Sequence, residues 1–190
     1  MQQIFDAGCS PAMYQMQGKT YSFPDLSTTL CPMCWGGFLR KHGFYERNLV
    51  GVGFEGLIQI RRHVCDACGK TVSLLPSFCH PGRIYSILVI MGILAEYYEK
   101  MLTVCQAVAN FFALTAVVCS RQLLRHYRLR VEENLKKLIM AITDIYRLKK
   151  PLVTSVNIME RVRQLLTFIK CPQDESLKIF KHTGTTYLSP

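Results

Sequence analysis

Apolar residues in the second half of the chain recur every three or four positions, the spacing of one face of an α-helix. The stripe is most regular at 131–148, and a second stripe at 156–169 stops shortly before Pro172. Further apolar runs with helical character lie over 83–100, 103–112 and 116–128. From residue 83 onward, the pattern therefore predicts helices.

The first half of the chain has the residue pattern of β-strands instead. Strands are predicted over 38–47 and 57–64, and Gly51, Gly53 and Gly56 between them suit a bent hairpin connection. Prolines and glycines interrupt residues 1–30, so we expect an irregular N-terminal segment there that could include a short strand or helix.

These patterns together predict an α+β protein. A small β-hairpin unit occupies 31–78 and is followed by an all-helical region. Within that region we expect a helical domain at 83–130 and C-terminal amphipathic helices at 131–170, which pack on the helical block or on a second copy and so could form a homodimer. Residues 171–190 are predicted to be a polar tail.

Composition and charge add a partner class to this picture. The chain has 190 residues, of which 49% are hydrophobic, and a formal net charge of +10. Such a charge favours nucleic acid or an anionic surface as partner, although the same cations could simply solvate helix faces. The N-terminus lacks the pattern of a secretory signal, so the nine cysteines indicate a reducing, cytoplasmic location more than a disulfide framework.

Four of the cysteines form two Cys-x-x-Cys pairs, CPMC and CDAC, at Cys31, Cys34, Cys65 and Cys68. Two such pairs brought together by a hairpin supply four thiolates in a tetrahedron, which suits one structural Zn²⁺. An iron–sulfur cluster or a redox-active pair could use the same residues, and His42 or His63 could replace one ligand. Four protein ligands leave no open position, so hydrolytic zinc chemistry is not expected.

The stretch from 103 to 130 resembles a helix-turn-helix, with Ala113 in the turn and Thr115 capping the second helix. An ordinary helical hairpin is the alternative. In a DNA-binding unit the second helix enters the major groove, and nearby cations contact phosphates. The predicted DNA-binding residues are Ser120, Arg121 and Arg125 on the helix, with Arg128, Arg130, Arg61 and Arg62 in support.

A membrane-associated protein is a further alternative. Residues 101–120 contain no charged side chain, and twenty such positions could span a bilayer. Polar residues within this stretch, among them Gln106 and Asn110, argue against a span.

Several segments resemble a known family, the bacterial zinc-ribbon proteins associated with insertion elements, which are often described as transposase-like. The resemblance rests on CPMCWG, HGFYER, IQIRRHVC and CGKTVSLLPSF, and it covers about 31–127. It implies a helix-turn-helix after the zinc ribbon and DNA binding linked to mobile elements, but no established activity. The family has a tryptophan in its recognition helix where this chain has Gln122.

An enzymatic function is not expected. A transposase of the acidic type needs carboxylates that converge on Mg²⁺ from strands, and the acidic residues after the hairpin lie in predicted helices. The sequence therefore predicts a zinc-stabilised DNA-binding protein of mobile-element origin. A zinc-ribbon adaptor for other proteins is the second hypothesis, and a membrane-associated zinc-ribbon protein is the third.

Overall fold

The structure of the protein is a computed structural model that describes residues 1–149, 152–169 and 171–184. Within these residues the secondary structure comprises strands β1 (Gln2–Phe5), β2 (Leu39–Gly51), β3 (Phe54–Cys65) and β4 (Thr71–Pro76), and helices α1 (Pro11–Gln17), α2 (Ile87–Glu99), α3 (Val104–Thr115), α4 (Arg121–Tyr146), α5 (Ile158–Phe168) and α6 (Pro172–Thr183). A strand-rich first half and a helical second half confirm the predicted α+β class.

The chain divides into two compact units. The first comprises Met1–Val50 and Phe54–Ile84, and the second comprises Tyr85–Pro190 together with Gly51–Gly53. The change from strands to helices near residue 83, expected from the sequence, therefore lies close to the division between the units.

The first unit is built on a sheet with the strand order β1-β4-β3-β2. β3 pairs antiparallel with β4, and β1 pairs parallel with β4. The core against this sheet includes Leu49, Ile58, Ile60 and Leu75, all fully buried.

Residues 1–30, expected to be an irregular segment with a short strand or helix, contain one of each, β1 and α1. Pro11 does not break the chain here but occupies the first turn of α1, where its missing N–H costs nothing, and Ser10 caps the helix through the amide of Met13. The side chain of Tyr14 is fully buried in the core, and its hydroxyl donates to the carbonyl of Gln59 at 2.9 Å. The N-terminal segment is therefore part of the first unit's core.

The second unit is organised around α2, which packs against α3, α4, α5 and α6. Eight of the thirteen residues in α2 are buried, since an apolar helix in contact with so many neighbours has little surface left for solvent. The apolar stripes of α5 and α6 face α2 and α4, so both are covered within the chain.

Two boundaries in this unit differ from the sequence-based prediction. The helices expected at 116–128 and 131–148 form one helix, α4, which starts later, at Arg121. Residues 172–183, expected in a polar tail, form α6, which buries Leu177 and Ile179. Residues 185–190 of that expected tail lie outside the described residues.

The uncharged stretch at 101–120 does not form a single long helix. Thr103 caps the start of α3 and Ala116 ends it in a left-handed conformation. Among the described residues, every helix is too short or too polar to cross a membrane.

Candidate functional site

The four cysteines of the two Cys-x-x-Cys pairs converge at one point of the first unit. The sulfur atoms of Cys31, Cys34, Cys65 and Cys68 all lie within 4.8 Å of one another. The Cys31 and Cys68 sulfurs are 3.8 Å apart, and those of Cys34 and Cys65 are 3.6 Å apart. These separations match the edges of a tetrahedron of thiolates around one ion, so the cluster could hold a metal ion.

The two loops that carry the cysteines have closely similar backbones. We call residues 31–37 the first knuckle and residues 65–70 the second. In the first, the amide of Trp35 donates to the carbonyl of Cys31 at 2.9 Å; in the second, the amide of Gly69 donates to the carbonyl of Cys65 at 3.1 Å. Trp35 and Gly69, each one residue after the second cysteine of its pair, both have positive φ, at 57° and 67°.

Backbone amides within the knuckles also point at the sulfurs. The amide of Met33 donates to the Cys31 sulfur, and the amide of Cys68 donates to the Cys65 sulfur, both at 3.4 Å. Such bonds stabilise thiolates, the form of cysteine that binds metals. They also fix the direction in which each sulfur points.

One carboxylate ties the second knuckle to the residues that directly follow the first. The side chain of Asp66 accepts from the amide of Phe38 at 2.8 Å and pairs with Arg40 at 3.3 Å, while its own amide donates to the carbonyl of Phe38 at 3.1 Å. Gly37 approaches the second knuckle so closely that an added Cβ would lie 2.4 Å from Asp66 Oδ1 and 2.6 Å from Ala67 Cβ. The sequence shows a glycine after one pair and an acid inside the other, but the contact between them arises only in the folded structure, so neither residue was predicted as part of the site.

The electrostatics of the cluster favour a bound cation. The pKa of the Cys65 thiol is lowered to about 7, chiefly because the amide of Cys68 donates to its sulfur. The amide of Lys70 lowers the pKa of Cys68, but burial and the three neighbouring sulfurs outweigh it and raise that pKa to about 11. The Cys65 thiolate thus forms easily, whereas the Cys68 thiolate is harder to form. A metal ion removes that conflict, since its charge stabilises all four thiolates together.

The histidines considered as substitute ligands lie outside this cluster. Among the described residues, the grouping of potential metal ligands consists of the four cysteines alone. His63 is buried on β3, where burial lowers the pKa of its ring.

The proposed DNA-binding elements lie in the second unit, and their turn is displaced from the predicted position. Thr115 is the last residue of α3, and its hydroxyl donates to the carbonyl of Phe111 at 2.7 Å. The turn occupies 116–120, with Ala116 at φ 57°, and Ser120 rather than Thr115 caps α4 by accepting from Leu123. The hydroxyl of Tyr85 holds the turn by donating to the carbonyl of Val118 at 2.9 Å.

The predicted DNA-binding residues of α4 fall into two groups. Arg121 and Arg125 are exposed in its first two turns, where Arg121 lies 3.6 Å from the Cys105 sulfur and Arg125 has no hydrogen bond or ion pair with a described residue.

The second group is engaged within the unit. Arg128 donates to the hydroxyl of Tyr97 at 2.7 Å and pairs with Glu132 at 3.4 Å, and Arg130 pairs with Glu133 at 3.1 Å. Arg128 therefore has a structural role that the sequence did not reveal.

Arg61 and Arg62, predicted to support DNA binding, are adjacent on β3, so their side chains leave opposite faces of the sheet. The guanidinium of Arg61 lies 4.6 Å from the centre of the Phe44 ring, and that of Arg62 donates to the hydroxyl of Thr71 at 3.4 Å. DNA lying on one face of this sheet therefore cannot contact both arginines.

Comparison with known proteins yields one similarity. A family model described as "Domain of unknown function (DUF6431)" matches residues 31–109, which contain both knuckles and α2. No curated protein and no solved structure matches the chain. The matched range thus contains the whole cysteine cluster and the start of the helical unit, and the description of the family model assigns no function.

Proposed function

We propose that the protein is a zinc-stabilised, non-catalytic DNA-binding protein of mobile-element origin. The observation that supports this function best is the α3–turn–α4 segment, in which a capped helix begins with exposed arginines after a short, anchored turn. The resemblance to insertion-element zinc-ribbon proteins supports the origin, and a net charge of +10 suits a polyanionic partner.

Zinc is the metal that fits the cluster best. Four cysteine ligands with no open position form the usual structural zinc site. Elemental analysis of purified protein is expected to give one zinc per chain, and its absorption spectrum is expected to show no band in the visible range. Iron with inorganic sulfide, or a disulfide among the four cysteines in a reduced sample, would contradict the assignment.

The DNA contact is proposed at the N-terminal turns of α4. Arg121 and Arg125 are four residues apart and therefore lie on one face of the helix, where a guanidinium can donate to the O6 and N7 atoms of guanine. Val118, in the turn before them, is 72% exposed and could contact a thymine methyl group. Arg130 is free to exchange its ion pair with Glu133 for a phosphate, because that pair lies at the surface.

The test compares two double variants with the same change in charge. Arg121→Ala with Arg125→Ala removes the proposed base contacts, whereas Lys149→Ala with Lys181→Ala removes two exposed cations of the same unit elsewhere. Anisotropy titrations use a duplex selected from a random pool with the parent protein. The arginine variant is expected to lose about 1–3 kcal/mol per base contact, and the lysine variant far less. Equal losses in both variants would show that charge alone is responsible and would contradict the recognition face.

A second function, binding of another protein, is favoured by one observation. Phe112, Leu114 and Val118 are 51%, 67% and 72% exposed, so the end of α3 and the turn present apolar surface. Salt separates the two functions, because DNA binding through phosphates weakens steeply between 50 and 200 mM salt and apolar docking does not.

We also propose that any homodimer uses surface of the C-terminal helices other than their buried stripes. Ile158 at the start of α5 is 45% exposed, and Val156 before it is 98% exposed. Light scattering of the parent and of an Ile158→Glu variant tests this: a dimer that the variant converts to monomer supports the proposal, and a dimer unaffected by it does not.

A further inference from the structure

The two knuckles offer an internal comparison that singles out Trp35. Their backbones share the same hydrogen bond and the same positive φ at the residue after the second cysteine. The second knuckle has Gly69 at this position, the residue that adopts positive φ without steric cost. The first knuckle has a tryptophan, whose Cβ is strained in the left-handed region. Gly36 follows immediately, so the sequence has glycine nearby but not at this position.

Packing does not compensate for this strain. Trp35 is 71% exposed, so most of its large apolar ring remains in water and contributes little to the core. A glycine would satisfy the backbone better and would expose less apolar surface. Trp35 lowers stability through backbone strain and through exposed apolar area, so its presence indicates a role other than stabilising the fold.

The segments around Trp35 indicate which ligand suits its ring. Met33 and Phe38, on either side of Trp35 in the chain, are 43% and 49% exposed, so the first knuckle and the residue after it expose three large apolar side chains. The segments that carry the knuckles, 30–41 and 62–70, contain four cations, Arg40, Lys41, Arg62 and Lys70, against the single anion Asp66. Arg40 pairs with Asp66 and Arg62 donates to Thr71, which leaves Lys41 and Lys70 exposed on these segments. An exposed aromatic ring on a segment with an excess of cations is the combination that stacks an unpaired base and holds the adjoining phosphates.

We propose that Trp35 is a stacking platform for an unpaired base of single-stranded DNA, with Lys41 and Lys70 contacting its phosphates. This site lies in the first unit, uses no residue of α4 and goes beyond the helix-based function proposed above. The metal cluster has a direct part in it, because the knuckle that the cysteines close fixes the backbone of Trp35 in the exposed conformation.

Trp35 is the only tryptophan in the chain, so its own fluorescence reports on the contact. Titration of the full-length, metal-loaded protein with an oligothymidylate of 15 nucleotides is expected to quench this emission, and a duplex of the same length is expected to quench it much less. Anisotropy of the labelled oligothymidylate then gives the affinity of variants. Trp35→Gly is expected to weaken binding about tenfold or more, and Trp35→Phe, which keeps a ring, is expected to retain most of it.

Stability and the α4 variants complete the test. Trp35→Gly is expected to keep its metal and to unfold at the same temperature as the parent or higher, because glycine relieves the strain at this φ. The Arg121→Ala, Arg125→Ala protein is expected to show unchanged quenching, so failure of the α4 proposal and failure of this one are distinguishable. If Trp35→Gly binds the oligonucleotide as tightly as the parent, or if the parent shows no quenching, the stacking proposal is wrong, and the exposed ring would then be better explained as an anchor for another protein.

Discussion

Adding one methyl group at Gly37 should separate the two knuckles and weaken the metal site. The Cβ of an alanine at this position would lie 2.4 Å from Asp66 Oδ1, 2.6 Å from Ala67 Cβ and 2.8 Å from the Ala67 amide nitrogen. Ordinary contacts of this kind begin near 3.4 Å, and two of the three atoms belong to the backbone or are attached directly to it. To remove these overlaps, the second knuckle has to move away from Gly37 by about 0.8 Å, the difference between 2.6 Å and an ordinary contact.

The size of the effect follows from the geometry of the cluster. Metal–ligand distances tolerate changes of roughly 0.2 Å, less than the movement that the methyl group requires. Overpacking of a tightly packed site costs about 1–3 kcal/mol. If that cost falls on the metal-bound state, the metal affinity of Gly37→Ala drops by a factor of about 5 to 150.

Gly36 provides a matched control one residue away. A Cβ there would meet only the carbonyl of Cys34, at 3.7 Å, which is an ordinary contact. Competition with a chromophoric zinc chelator measures both variants, and thermal unfolding with and without chelator separates loss of metal from loss of fold. Gly36→Ala is expected to bind zinc like the parent. If Gly37→Ala binds zinc within twofold of Gly36→Ala, the close approach of the knuckles does not control the site.

The cysteine cluster could be predicted because its signal is local and chemical. Two Cys-x-x-Cys pairs on either side of a strand pattern leave few arrangements other than a hairpin that brings them together, and the structure brings the four sulfurs within 4.8 Å. The partners of the cluster were not predictable in the same way. Asp66 and Gly37 matter because the knuckles touch, and that contact is a property of the folded backbone.

The N-terminal segment shows where periodicity fails. β1 is four residues long and α1 is seven, both too short for a repeating pattern to emerge. Each is stabilised by long-range contacts, β1 by pairing with β4 and α1 by the burial of Tyr14 against the sheet. Pro11 and Gly18 were interpreted as breakers, whereas the structure uses them to start and to end α1.

The start of α4 shows that two capping residues can compete. Thr115 and Ser120 are both good N-cap residues, and the sequence alone favoured Thr115. The structure selects Ser120, because the chain at 117 and 119 turns Val117 and Cys119 into the core before the helix begins. Tertiary burial thus decides where the helix starts, and with it which arginines stand in its first turns.

Three further predictions address the metal, acid stability and helix packing. Cys65→Ser removes one of the four ligands and should lower the zinc content and the unfolding temperature together, as measured by elemental analysis and circular dichroism; normal zinc content would mean that three cysteines suffice. Burial lowers the pKa of His80 to about 4, so the native ring is neutral while the unfolded chain takes up a proton below about pH 6.5. The contribution of the neutral ring to the free energy of unfolding is therefore complete above pH 6.5, and that free energy should fall by about 3 kcal/mol as the pH drops to about 4. Denaturant titrations over this pH range should show a shallower fall for His80→Gln than for the parent. The last prediction concerns Gly92 in α2, where alanine has the higher helix propensity by about 1 kcal/mol and would stabilise an exposed helix. Here, however, its Cβ would lie 2.8 Å from Cε2 of Phe111, a ring that is only 3% exposed and would have to shift within the packed interior. Gly92→Ala should therefore destabilise the second unit in denaturant titrations, and Phe111→Leu in the same chain should recover part of the loss because the smaller side chain makes room for the methyl group. A gain in stability from Gly92→Ala alone would show that propensity outweighs the contact and that α2 and α3 are not packed as closely as the structure has them.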